Sequence, residues 1–257
     1  MTKLENEIIE NLIVFNPKNK KIRLGQSSDG GYVIIDGYDY DLYLSCGIGN
    51  DVGFDIDFTN YRPNINGFAF DGTCDKPIHL PENIKFIKKN IGEYENESIS
   101  NMSSYLDKDN IFLKMDIEGH EWRWIKSLGD LSRFKQIVLE CHGFFDEGCP
   151  TGSWSEAGQF LHEDILRSLE ILNKTHYLVH IHGNNAAVVK HYNGVFGDAK
   201  GFDELFTVAE LTYIRKKDCD VNGFNIDKLP ITDLDFPNYH FIPDVHIDKW
   251  PFVNKNI

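Results

Sequence analysis

The five cysteines, Cys46, Cys74, Cys141, Cys149 and Cys219, include no CxxC pair. An odd count at scattered spacings supports neither a disulfide framework nor a thiolate zinc site, so reduced thiols are expected. No apolar stretch approaches the ~20 residues that span a bilayer. The N-terminus, Met1-TKLENEIIENLIVF, has no basic region ahead of an apolar core and a cleavage site. Membrane insertion is therefore not expected, and a cytoplasmic location is. Basic residues are outnumbered: 26 Lys and Arg against 40 Asp and Glu give a formal charge of −14. That balance argues against nucleic acid and anionic membrane surfaces as main partners, since both select basic patches; a small anion held locally stays open. No internal repeat and no domain-sized linker interrupt the 257 residues.

Aromatic residues are abundant, with 18 Phe, 11 Tyr and 4 Trp, enough for a sizeable core without metal or disulfide support. The stretch from Asn110 to Gly129 organises the rest. Ile111, Phe112, Leu113 and Met115 form an apolar run broken by Lys114 and ending on Asp116, which suits a buried strand. Glu118, Gly119, His120 and Glu121 then crowd the turn into a helix carrying Trp122, Trp124, Ile125 and Leu128. Ligands of open α/β sheets bind outside the carboxyl ends of the strands, so Asp116 is expected to face a site. A helix N-cap is the plainer role for the same residue.

The other elements follow in order. Residues 2–15 carry Leu4, Ile8, Ile9, Leu12 and Ile13 at helical spacing, and Pro17 is expected to close that helix. Ser28-Asp29-Gly30-Gly31 reads as the turn of a hairpin leading into Tyr32–Ile35. Asp41 to Phe58 reads as strand, Gly47-x-Gly49 turn and helix, the opening of a nucleotide-binding unit, and Asp71 ends the next strand where a ribose-binding carboxylate belongs. Residues 83–92 make a third strand and Ser103–Leu106 a helix. Ile137–Leu139 is a strand ending on Glu140, with Cys141 and His142 beyond it. A helix runs from Ser153 to Lys174, with a serine at its start. The sixth strand starts at Tyr177 and puts His180 and His182 on one face, and the last starts at Phe206. The tail from Asp227, with Pro230, Pro237, Pro243 and Pro251, is expected to wrap the surface.

Together these stretches resemble the class I S-adenosylmethionine-dependent methyltransferases, and within them the FkbM-like group. Lys114-MDIEGHEW-Trp122 is similar to that group's strand-end motif, Ser45-CGIGNDVGF-Phe54 to its cofactor loop, and Asp29-GGY-Tyr32 to a segment ahead of the cofactor domain; the similarity covers roughly residues 22 to 217. The resemblance implies a single α/β domain with a Rossmann-like seven-stranded sheet, mostly parallel, the last strand antiparallel, with helices on both faces. Residues 1–35 would form an N-terminal helix and lid or hairpin, 36–217 the cofactor core, and 218–257 the tail. It also implies S-adenosyl-L-methionine as cofactor, with Cys46, Gly47 and Gly49 at its methionine portion, Asp71 at the ribose, Asn90 and Ile91 at the adenine, and Asp29 near the cofactor or lid.

Methyl transfer to an alcohol needs alignment and a proton acceptor. Asp116, Glu118, His120 and His142 are the candidates for catalysis; His142 and His180 read first as core or rim histidines and only second as a base. A divalent cation would also lower the hydroxyl pKa, and Asp116, Glu140 and His182, aided by Asn184, offer donors suited to Mg²⁺ or Mn²⁺. The expected acceptor is a hydroxyl of a sugar or nucleotide-linked sugar, as in surface-glycan or natural-product biosynthesis, and a homodimer is left open. A nicotinamide-dependent oxidoreductase or epimerase shares the GxG turn and Asp71, but the chain has no full GxGxxG. A non-catalytic cofactor-binding module is the other alternative.

Overall fold

The computed structural model describes residues 2–145, 159–186, 188–189 and 205–255. Helix α1 (Lys3–Glu10) starts at a capping box: Glu5 N donates to Thr2 Oγ1 at 3.2 Å and Thr2 N to Glu5 Oε2 at 2.5 Å. It ends well before Pro17, with Asn11 N–H donating to helix carbonyls, because Phe15–Pro17 is recruited as strand β1. Hairpin strands β2 (Lys21–Leu24) and β3 (Tyr32–Ile35) pair antiparallel, as the turn residues between them require.

The core elements follow: β4 (Leu42–Cys46), α2 (Gly53–Tyr61), β5 (Gly67–Phe70) and β6 (Ile84–Ile87). The expected third strand is split, since β7 (Asn90–Ile91) leaves the sheet to pair with β8 (Ile99–Ser100). The helix expected at Ser103–Leu106 is a single 3₁₀ turn, Ser103–Tyr105, entered through Met102 in a left-handed conformation. Then come β9 (Ile111–Asp116), α3 (Glu121–Leu128), β10 (Phe134–His142), α4 (His162–Thr175) and β11 (His176–Gly183). The short pair β12 (Val188–Val189) and β13 (Leu205–Phe206), then β14 (Val208–Arg215) and β15 (Val221–Phe224), complete the set. The expected start of α4 at Ser153 lies outside the described residues.

Seven strands make one sheet in the order β11-β14-β10-β9-β4-β5-β6. Only β14 is antiparallel to its neighbours. This is the α/β sheet anticipated from the sequence. Alternation along β9 supplies both cores. Ile111, Leu113 and Met115 join α1, α3 and α4 on one face, while Phe112 packs with Tyr43, Phe54 and Phe58 of β4 and α2 on the other.

The tail carries exposed residues, Tyr239 and Phe241 among them, and buried ones. Leu229, Val245, Ile247, Phe252 and Val253 are buried in the larger core cluster. The prolines break helical and strand pairing, but the apolar residues between them still seek burial. Strand β15 returns to pair with β1, which ties the beginning of the tail to the N-terminus.

Candidate active site

Three strand ends, β4, β5 and β9, open on a cavity of about 280 Å³. The chain leaves β4 through Gly47 (φ +71°), where a Cβ would lie 1.5 Å from the Asp116 carbonyl oxygen. Only glycine lets the loop cross the end of β9 this closely. Gly47 N donates to Phe70 O at 2.9 Å, and Lys114 Nζ donates to Gly47 O at 3.1 Å. Gly49 N donates to Asp71 Oδ2 at 2.9 Å, while Thr73 N, Thr73 Oγ1 and Cys74 N donate to Asp71 Oδ1. Burial pushes the Asp71 carboxyl up, but these hydrogen bonds outweigh it and hold its pKa below the ordinary value.

At the end of β9, Glu118 (φ +56°) and Gly119 (φ +97°) turn the chain sharply into α3. Glu121 fixes this turn: its buried Oε1 accepts from Ile117 N at 2.9 Å and from Gly119 N at 3.3 Å. His142, at the end of β10, sets Nδ1 3.3 Å from the same oxygen and Nε2 3.6 Å from Glu118 Oε2. Burial alone would lower the imidazole pKa, yet Glu121, with Asp116 and Glu140 beyond, raises it to about 10. The same partnership and the backbone donors hold Glu121 below its ordinary value against burial. Asp116 goes the other way. Burial raises its pKa against the opposing pull of Lys114 and His142, and Tyr32 Oη donates to its Oδ2 at 3.3 Å.

The structure gathers most of the residues singled out in the sequence around this cavity. Asp29, Gly47, Gly49, Asp71, Asn90, Ile91, Asp116 and Glu118 line it. Asn90 Oδ1 accepts from Gly72 N at 3.0 Å, and Asp29 Oδ1 accepts from Asn238 Nδ2 at 3.0 Å. Cys46 is buried with its thiol against Met102 Sδ, so only its backbone faces the loop, and burial pushes the thiol pKa up. His120 is buried at the start of α3, outside the cavity wall, where burial lowers its pKa.

The expected cation ligands do not come together. His182 Nε2 lies 3.0 Å from Asp244 Oδ1 and its Nδ1 3.4 Å from Glu210 Oε2. Strand order explains this: β11 stands three strands from β9, about 14 Å at the usual strand spacing. Glu140 accepts from Asn184 Nδ2 at 2.9 Å, and burial together with Asp116 raises its pKa well above the ordinary value. Among the described residues, the ligand atoms that do converge, within 4.8 Å of one another, belong to Asp116, Glu121 and His142. Two carboxylates and an imidazole are a donor set that fits Mg²⁺ or Mn²⁺.

Lys114, Tyr32 and Glu121 received no role in the site from sequence alone. A lysine inside an apolar strand was the available signal for the first. Tyr32 was marked only as the end of the Asp29–Tyr32 segment; its contact with Asp116 arises through the fold.

A seven-stranded sheet with one antiparallel strand, whose glycine turn and acidic strand end share a cavity, is the arrangement of a class I methyltransferase. The Methyltransferase FkbM domain matches residues 12–179, and the chain belongs to that family. It is an S-adenosylmethionine-dependent methyltransferase. Among solved structures it is similar to a precorrin-6y C5,15-methyltransferase from Geobacter metallireducens GS-15, at 15% identity and a TM-score of 0.35, covering 69% of this chain and 81% of that one. It is also similar to the plantazolicin methyltransferase BpumL, solved in complex with SAH, at 12% identity and a TM-score of 0.33, covering 69% and 77%. A comparison with curated proteins found no match. Among the described residues no helix is long and apolar enough to cross a membrane.

Proposed function

We propose that the protein is a cytoplasmic O-methyltransferase acting on a hydroxyl of a small acceptor, a sugar or nucleotide-linked sugar of a surface glycan or natural product. The observation that carries the reading is Asp116: a partly buried carboxylate at the end of the central strand, in the same cavity as the glycine turn. A raised pKa makes it a better proton acceptor than an exposed aspartate. His142 is the weaker candidate, because a pKa near 10 leaves the imidazole already protonated at neutral pH.

Bound S-adenosylmethionine would supply the methyl group to the acceptor oxygen and leave as the neutral thioether, and Asp116 would take the proton that the acceptor hydroxyl loses. Gly47, Gly49, Asp71, Asn90 and Ile91 would hold the donor, with Asp29 near it and Glu118 as a further candidate for catalysis. Cation assistance is a second reading, favoured by the convergence of Asp116, Glu121 and His142. A bound Mg²⁺ or Mn²⁺ would lower the hydroxyl pKa.

The test is an acceptor screen over sugars and nucleotide sugars, following S-adenosylhomocysteine release. Asp116→Asn should lower kcat by about 10²–10⁴-fold, with S-adenosylhomocysteine affinity within about threefold of wild type. An unchanged kcat would remove Asp116 as the base. Turnover that survives exhaustive chelation would remove the cation.

A further inference from the structure

Among the described residues, Lys114 is the one basic side chain in a cavity wall that also carries Asp29, Asp51, Asp55, Asp71, Asp116 and Glu118. It sits inside the sheet, 6% exposed, at a position where an apolar residue would complete the strand. A buried ammonium needs partners for three N–H donors. Its Nζ donates to Gly47 O at 3.1 Å, while the closest carboxylate oxygen, Asp116 Oδ2, stands at 4.0 Å, beyond hydrogen-bond range. The Tyr32 ring lies 5.5 Å away, a cation–π contact that uses no N–H donor in a hydrogen bond. Donor capacity is therefore left over at the cavity wall, beside the glycine turn.

The donor of this reaction supplies what is missing. S-adenosylmethionine carries one carboxylate, on its methionine end, and among the described residues the other titratable groups on the wall are acids, which offer it no counter-charge. We infer that Lys114 binds that carboxylate, with Nζ bridging the Gly47 carbonyl and a carboxylate oxygen of the donor. The inference rests on the methyltransferase assignment and adds a positioning role. By fixing the methionine end against the end of β9, Lys114 sets where the sulfonium methyl lies relative to Asp116. An exposed lysine could hold a carboxylate too, but a buried one tied to the loop holds it in one place.

The experiment compares two ligands by calorimetry on the full chain: S-adenosylhomocysteine and its decarboxylated analogue, which differs only in that carboxylate. A charge-assisted hydrogen bond of this kind corresponds to roughly 10- to 100-fold in affinity. Wild type should prefer S-adenosylhomocysteine by that factor. Lys114→Met should bind it about 30-fold more weakly while binding the analogue within about threefold of wild type, so that the preference collapses. Retained analogue binding also shows that the variant is folded. Equal weakening of both ligands, or a preference that survives in Lys114→Met, overturns the inference. Should Lys114→Met not fold, Lys114→Gln is read by the same comparison, and equal affinities in wild type overturn the inference without any variant. Wild type binding neither ligand would overturn the cofactor assignment itself, a result distinct from loss of the carboxylate preference.

Discussion

Glu121 and His142 show how far single residues here depend on one another. Glu121 carries the turn after β9 through two backbone donors, and His142 shares the same oxygen. The folded pKa of His142, about 10, lies above its ordinary 6.5. Its stabilisation is therefore complete below pH ~6.5 and is lost as pH rises toward 10. Glu121, with its pKa lowered, contributes above its ordinary value and loses that contribution on acidification. The stability gap between wild type and His142→Asn should narrow by at least ~1 kcal/mol from pH ~6.5 to pH ~10, measured by urea denaturation in the presence of a chelator. A gap that widens with pH would show that the imidazole is buried neutral. None of this was legible in the sequence, where His142 could be read as a rim histidine or a base. Its partner Glu121 lies at the start of α3, 21 residues away. Gly47 was legible, because a glycine turn after an apolar strand has few other uses.

Elements were readable where local pattern and tertiary demand agreed. Strands β4, β5, β9 and β10 announce themselves by apolar runs, and α3 by its spacing of Trp122, Trp124 and Ile125. The disagreements have physical causes. Helix α1 gives up its last expected turns because Phe15–Pro17 gains a strand partner in β15. His182 is carried away from Asp116 because β14 inserts between β10 and β11, a matter of strand order that no local pattern encodes. The tail mixes exposed Tyr239 and Phe241 with buried Leu229 and Phe252, because prolines signal irregular backbone, and irregular backbone is not the same as exposure. Phe252 is fully buried and packs at a tilt against Phe206, with ring centroids 5.9 Å apart. Phe252→Ala should therefore cost about 3–5 kcal/mol, read from the urea midpoint. A loss under ~1 kcal/mol would mean that the tail is an applied surface layer after all.

At the scale of the whole molecule, the cavity wall is assembled from segments far apart in sequence: the hairpin turn at Asp29, the β4 and β5 ends, Asn90, and the β9 end. A ligand that touches all of them couples their opening, so binding should stabilise the entire fold and not one loop. For S-adenosylhomocysteine at a hundred times its Kd, linkage gives about 2.7 kcal/mol. For a domain near this size, that corresponds to a rise in Tm of roughly 5–10 °C. NAD at the same concentration should leave Tm unchanged, because the GxG turn lacks the remaining glycine that brings a helix N-terminus against a pyrophosphate. A thermal scan with each ligand decides this, and a shift with NAD alone would move the cavity's chemistry from methyl to hydride transfer. Adding Mg²⁺ to the S-adenosylhomocysteine sample extends the scan: a further rise with wild type, absent in Asp116→Asn, would place a cation beside the donor.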